Sequence, residues 1–394
     1  MTNAPAPTTH AVTTRRDWLA VAVVAVAVFT VTTTEMSPMG LLPSVAADLN
    51  VSEGSAGLSV TLYGILAGLL APVATIITGR IDRRALLLAI LAVFTAGNTL
   101  SVTAHTYQLF MASRFLSGVI HGLMWAIVAS IAIRLVAEKD AVRATAAVFS
   151  GISLALVLGV PASATVGEAL GWRSAFAALA FLSGVTLLLV RALLPTLPSV
   201  NTFGFADLFR LVRQGPLRRV LTVTALVVIA NYSAYTYIAP FLHDTHGLAA
   251  SLIGPFLLTY GIAGVAGNFA AGALLTRTRT VRAVLVVLAT VVTMALLSLQ
   301  VAYWPIALGA AIAVWGASYS AIPVALQTLV LRLSGSDAAE ATTSLYVLVF
   351  NCSIALGALT GGIAIDAAGP AVPAFVGASF SAAAVLATLT LPRR

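Results

Sequence analysis

Residues 14–43 read TRRDWLAVAVVAVAVFTVTTTEMSPMGLLP. Two arginines and an aspartate give way at Trp18 to an apolar run that carries no charge until Glu35. About 20 such residues cross the hydrocarbon core of a bilayer as a helix. The stretch therefore reads as a membrane span over 18–42, with a basic flank, an indole at the headgroup layer and one acid inside.

Outward from it the pattern repeats eleven times, at about 55–78, 85–104, 107–133, 144–168, 172–194, 220–242, 252–275, 283–300, 303–331, 342–365 and 371–391. With 60% hydrophobic and 9% charged residues, against about 25% charged in soluble chains, the solvent for most side chains is lipid. Nineteen of the 21 Lys and Arg fall in the two tails and on alternate connectors, the others being Arg114 and Arg173. The crowded side is cytoplasmic by the positive-inside rule, and both termini lie there, as an even number of spans requires. The Arg15-Arg16 flank is similar to a twin-arginine export signal. The apolar run outlasts signal length, though, no small-x-small site closes it and further spans follow, so a basic flank is the better reading.

The charge of +8 is spread over short loops rather than gathered on one domain, which speaks against nucleic acid. The single cysteine, Cys352, excludes an internal disulfide and a cysteine metal cage. Gly261, Gly264 and Gly267 sit in an apolar run rather than after a strand, and no serine has a histidine and acid arranged for nucleophilic chemistry. The expectation is no enzyme, no metal and no cofactor.

Leu194 to Arg219 is the longest polar interruption and holds Pro195, Pro198, Gly204, Gly215 and Pro216. It divides the chain into a tail (1–17), a six-helix bundle (18–194), a central cytoplasmic loop (195–219) and a second six-helix bundle (220–394). Within the loop, Phe205, Leu208, Phe209 and Val212 recur at helical spacing, as on a surface helix or a solvated linker helix. A shift of 197 positions lays Arg80 on Arg277, Tyr63-Gly64 on Tyr260-Gly261, Pro43 on Pro240 and Glu35 on Tyr232. Parallel repeats of this kind are a transporter architecture with the binding site at midplane. The fold class expected is thus an all-α membrane protein, twelve transmembrane helices in two six-helix pseudo-symmetric bundles.

Two six-helix halves, a long central loop and the basic stretch Gly79-Arg80-Ile81-Asp82-Arg83-Arg84 between spans 2 and 3 together resemble the major facilitator superfamily. Glu35 to Pro43, Arg114 to Gly122, Gly159-Val160-Pro161 with Gly171-Trp172-Arg173, and Tyr235 to Phe241 are similar to the bacterial drug:proton antiporter branch, above all its sugar-efflux and chloramphenicol-resistance members. The resemblance implies that Arg80, Asp82, Arg83 and Arg84 form a cytoplasmic gate clasp, although the family's Gly and Asp positions are altered here. It also implies a helix-5 antiporter motif, in which Val160 here separates Gly from Pro, and a role for Arg114 in proton coupling. The location implied is the bacterial cytoplasmic (inner) membrane, and a monomer is expected.

Independently of family, Glu35 is the one acid well inside a span, and intramembrane ionisable groups mark functional sites. Burial favours its neutral form, which lets it load and release a proton; a carboxyl satisfied by Thr32, Thr33 and Thr34 is the alternative. Arg114, the one mid-span cation, is by charge balance its partner, or else a structural arginine neutralised by carbonyls. His121 can titrate near neutrality or simply be hydrogen-bonded, and Trp125, four residues on, shares its face. Met36, Trp125, Asn231, Tyr232, Tyr235, Tyr260, Trp315, Tyr319 and Asn351 supply the aromatic and hydrogen-bonding groups of a small-molecule pocket, or helix packing. The function expected is export of a small neutral or amphipathic compound, such as a chloramphenicol-type drug, against inward protons. A sugar or nucleoside exporter and an uncoupled facilitator are the alternatives.

Overall fold

The structure, a computed structural model, describes residues 12–198, 214–277, 281–334 and 339–391. The expected helix over 205–212 and most of the central loop lie outside the described residues, as do the side chains of Arg277 and Arg332. Within them the chain makes twelve helical passes and no strand. These are α1 (Arg15–Leu49), α2 (Glu53–Ile77), α3 (Arg83–Val102), α4 (Tyr107–Arg134), α5 (Ala141–Leu154, a π-helical turn Ala155–Gly159, then Val160–Leu170) and α6 (Trp172–Leu193). After the loop follow α7 (Gly215–Tyr235, continued by Ile238–Pro240 and Phe241–Thr245), α8 (Ala250–Arg277), α9 (Val281–Ser298), α10 (Pro305–Ser334), α11 (Ala339–Ala368) and α12 (Val372–Thr388). Ten are long and apolar enough to cross a bilayer, α4 is bent by 46° between Trp125 and Ile127, and α12 is shorter. Glu53 and Ala250 open α2 and α8, 197 positions apart, so the offset read from side chains recurs in the backbone.

Local chemistry sets the ends. Thr14 caps α1 in a reciprocal pair with Asp17, and Asn50, at φ 53°, closes it. Ser52, Asp82 and Thr106 accept backbone N–H groups at the starts of α2, α3 and α4. Gly171 (φ 85°) and Gly369 (φ 91°) turn the chain between α5 and α6 and between α11 and α12, where a side chain would be strained. Arg173, the one basic residue on the face opposite the basic connectors, is neutralised by Asp48 at 2.7 Å and donates to the Ala104 carbonyl.

Close helix contact comes from small residues. A Cβ at Gly151, Gly159 or Gly167 of α5 would run into Ala25, Thr33 or Leu41 of α1, so the eight-residue glycine spacing is the seat of α1. Between the halves α2 packs on α11 and α5 on α8, with Gly64 and Gly68 against Ala355 and Cys352, and Gly261 against the backbone of Leu156. Lipid-facing positions stay apolar, Phe181, Phe269 and Ile306 being more than 70% exposed.

The two faces of the molecule differ. On the face away from the basic connectors, Asp366 at the end of α11 accepts from Ser52 Oγ (2.7 Å) and Gly54 N–H (3.0 Å) at the start of α2, tying the halves together. Tyr237 of α7 donates to the Ala358 carbonyl of α11 at 2.7 Å, and its ring lies against Gly57 of α2. On the basic face, these contacts of the expected clasp residues lie within the first half. Asp82 caps α3 at Ala85 N–H and accepts from Leu197 N–H, Arg83 Nη1 donates to the Thr78 carbonyl and Arg84 Nη2 to that of Arg191, while Arg80 is exposed.

Candidate functional site

The site begins with a defect in α1. Pro38 has no N–H, so the carbonyl four residues earlier, Thr34 O, loses its helical donor. Arg114 of α4 supplies the missing one: its Nη1 donates to Thr34 O at 3.0 Å and its Nη2 to Glu35 O at 3.2 Å. The guanidinium also lies over the Tyr63 ring of α2, 4.4 Å from its centroid, a cation–π arrangement. Arg114 is 1% exposed and Glu35 4%. The expected direct pairing of Arg114 with the Glu35 carboxylate is absent among the described ion pairs. The cation is held beside the acid by main chain, one of whose two carbonyls a proline has freed.

The Glu35 side chain turns instead to α4, where its Oε2 stands 3.5 Å from His121 Nε2. His121, fully buried, sits between two further groups: Tyr63 Oη is 2.7 Å from Nδ1, and Trp125 Nε1–H donates to Nε2 at 2.8 Å. Three residues of α4 at spacings of seven and four thus share one face, as helical geometry requires. The neighbouring threonines do not serve the carboxyl. Thr33 Oγ1 bonds its own helix at Phe29 O, and Thr34 Oγ1 accepts from Asn98 of α3. Sequence reasoning missed Tyr63 as a site residue, although its match to Tyr260 under the 197-residue shift had marked it.

The second half contributes an aromatic cluster. Tyr235 lies 4.5 Å from Tyr260, and Trp315 packs edge-on to both, at 6.0 and 5.1 Å between centroids. Tyr260 donates to Asn231 Oδ1 at 3.0 Å. Tyr235 Oη and Trp315 Nε1 are buried with no hydrogen-bond partner, which leaves two polar handles aimed into apolar surroundings at a cost of about 1–3 kcal/mol each. Tyr232 stacks edge-on to Tyr319 at 6.3 Å, and its hydroxyl reaches Met36 Sδ at 3.8 Å. Met36 and Tyr232 are where the acid-bearing helix and the aromatic set touch. Asn351 of α11 is buried and donates to its own helix at Val347 O.

A family model described as the Major Facilitator Superfamily matches residues 24–358. Among solved structures the chain is similar to the nucleoside transporter NupG (TM-score 0.78, 12% identity, covering 94% of this chain and 99% of that one). It is also similar to a bacterial homologue of the human lysosomal transporter Spinster in an inward-facing, unoccupied conformation (0.72, 14%, 95% and 95%). A third is the human organic anion transporter MFSD10 (0.68, 16%, 95% and 99%).

Proposed function

Because the chain belongs to the Major Facilitator Superfamily, and is a multi-pass transporter rather than an enzyme, we propose that it is a proton-coupled antiporter. It exports a small neutral or amphipathic compound from the cytoplasm across a bacterial inner membrane, with both termini cytoplasmic and one chain as the working unit. The observation that carries this reading is the Glu35 carboxyl, buried mid-span within 3.5 Å of a second titratable group and beside a fixed arginine. An acid in such a place is costly unless its charge state is used.

Glu35 takes a proton while its chamber communicates with the outside and gives it up toward the cytoplasm. Arg114, anchored on main-chain carbonyls, does not have to move for this to happen: it lowers the cost of the carboxylate from nearby without capping it. Met36 and Tyr232 join that site to the aromatic cluster of Asn231, Tyr235, Tyr260, Trp315 and Tyr319, which offers flat apolar faces and a few hydroxyls to a ring-bearing or amphipathic cargo, with Asn351 across the α2–α11 interface. Substrate binding therefore bears on the acid through one thioether–hydroxyl contact, and proton and cargo displace each other as the halves rock. Release of the Ser52 and Gly54 contacts to Asp366 opens the outer side.

The test is transport in everted vesicles, with a growth-inhibition panel of antibiotics and sugars first identifying a cargo. Addition of that cargo dequenches a pH-gradient dye in the wild type and does not in Glu35→Gln. Undiminished dequenching in the variant removes Glu35 from the coupling, and cargo movement that persists after the gradient is collapsed favours a facilitator.

A further inference from the structure

His121 Nε2 has one lone pair and two neighbours that need it. Trp125 Nε1–H donates to it at 2.8 Å, and the Glu35 carboxyl lies 3.5 Å away. An indole nitrogen only donates. The lone pair is therefore on Nε2 and the ring proton on Nδ1, given to Tyr63 Oη at 2.7 Å. While the indole is in place, Nε2 cannot accept a proton from Glu35.

Trp125 is also the last residue before α4 bends by 46°. Its ring packs against Phe149 of α5 at 6.3 Å, and it is only partly buried. Beyond the bend, Val128, Ile131 and Ala132 are buried in the core of the first half, so a change of bend shifts packed side chains rather than a free end. The indole thus joins the imidazole to a hinge.

We propose that Trp125 is a positioning residue that couples the charge of His121 to the bend of α4; this rests on Glu35 as the proton carrier. With the indole N–H on Nε2, the imidazole is neutral and α4 is held at its present bend. When the indole withdraws, the Glu35 carboxyl O–H bond breaks and an N–H bond forms at Nε2, leaving a carboxylate beside an imidazolium, with no change in net charge. The segment past the bend is then free to move. The groups facing the imidazole are Glu35 from α1, Tyr63 from α2, the apolar Phe94 from α3 and, on its own helix, Arg114, whose cation opposes a second positive charge unless Glu35 becomes a carboxylate in the same step. Trp125 accordingly acts on proton transfer rather than as a wall of the cargo site.

Solid-state 15N NMR of the full chain in lipid bilayers, labelled at histidine nitrogens and titrated between about pH 5 and 9, reads this directly, with His121→Asn identifying the signal. At the alkaline end of that range the wild type shows a neutral His121 protonated at Nδ1. In Trp125→Phe, which keeps the ring plane and loses the donor, the imidazolium-to-neutral ratio at a given pH rises by about fivefold, the worth of one hydrogen bond. A wild-type proton on Nε2, or an unchanged ratio in the variant, overturns the proposal. A second readout separates this role from simple packing. Spin labels at Phe115 and Ile133, both about half exposed, straddle the bend in a Cys352→Ser background. Their distance changes across the His121 titration in the wild type and stays constant in Trp125→Phe; a distance that follows pH alike in both overturns the linkage. Since the NMR signal reports His121 whether or not Glu35 delivers the proton, a normal signal together with undiminished dequenching in Glu35→Gln removes Glu35 as the carrier and leaves the link between Trp125 and His121 standing.

Discussion

Arg114 serves the carbonyl that Pro38 frees, and that dependence has a measurable size. Arg114→Met removes two hydrogen bonds from a charged donor, at 3.0 and 3.2 Å, each worth about 1.5–3 kcal/mol, and a cation–π contact worth about 0.5–2 kcal/mol. Against this, the variant no longer buries a charge, which returns several kcal/mol. What does not cancel is the Thr34 carbonyl, left in a dry helix with no donor because residue 38 is proline; an unsatisfied buried acceptor costs about 1–3 kcal/mol. We expect Arg114→Met to cost about 1–3 kcal/mol on this account. In a Pro38→Ala background the restored N–H of residue 38 takes up Thr34 O, so the same Arg114→Met substitution costs about 1–3 kcal/mol less. Unfolding titrations in mixed micelles of wild type, both single variants and the double variant give the coupling term. If the two costs add to within about 0.5 kcal/mol, as independent sites do, Arg114 does not hold the carbonyl that Pro38 frees, and the construction of the site given above is wrong.

Other outcomes are as definite. Gly151→Ala pushes a Cβ into the main chain of Ala25 and Phe29 on α1 and should cost about 1–3 kcal/mol, whereas Gly184→Ala, whose added carbon meets only Thr95 at 3.8 Å, should be neutral or gain up to about 1 kcal/mol; equal unfolding midpoints would refute the α1–α5 contact. Asp366→Ala removes both acceptor contacts between α11 and the start of α2. At about 0.5 kcal/mol for each of the two bonds this raises the share of molecules open on that face roughly fivefold, read as faster thiol labelling of Cys352, which packs on Gly68 between the halves. An unchanged labelling rate would show that Asp366 does not hold that face shut.

The helical frame was legible because lipid enforces it. Every charge that cannot be buried cheaply is pushed to a connector, so the apolar runs and the observed helices coincide to within a few residues over most of the chain. The exceptions have local causes. The first span was expected to end at 42, yet α1 runs on to Leu49, since Pro43 removes one N–H without stopping a helix whose turns are buried against α6 and α7. Span 7 was expected unbroken to 242 and instead breaks after Tyr235, where Tyr237 turns to fill the space left by Gly57 and Gly361. At the site, Glu35, Arg114, His121 and Trp125 could be picked out because a titratable or donor group inside an apolar run is rare. The partner of Arg114 stayed open between the Glu35 carboxylate and backbone carbonyls, and the structure has the carbonyls; which ones could not be read, because main chain has no letter in the sequence. The basic motif after α2 read as a cytoplasmic gate clasp, and its described partners include the backbone of Thr78, Arg191 and Leu197.

The two halves share a frame and divide the chemistry. Positions 35 and 232 correspond under the 197-residue shift and carry an acid and a phenol; the residue after the acid touches that phenol, Met36 Sδ to Tyr232 Oη at 3.8 Å. The shift also lays Pro38 on Tyr235 and Arg114 on Ala311. The second half therefore has neither the freed carbonyl nor the cation to fill it, and the space goes to stacked rings, Tyr235, Tyr260 and Trp315, which bury large apolar faces. A second buried arginine there would repel the first and need its own acceptors. Among the described residues the halves meet where α1 touches α7, where α2 packs on α11 and where α5 packs on α8, and on the proposed reading proton and cargo sense each other through these contacts. A Met36→Ala variant isolates the first of these: it should retain proton binding at Glu35 and weaken its response to cargo, seen as a smaller dequenching amplitude per cargo molecule moved, and full coupling in that variant would place the communication in the other two contacts instead.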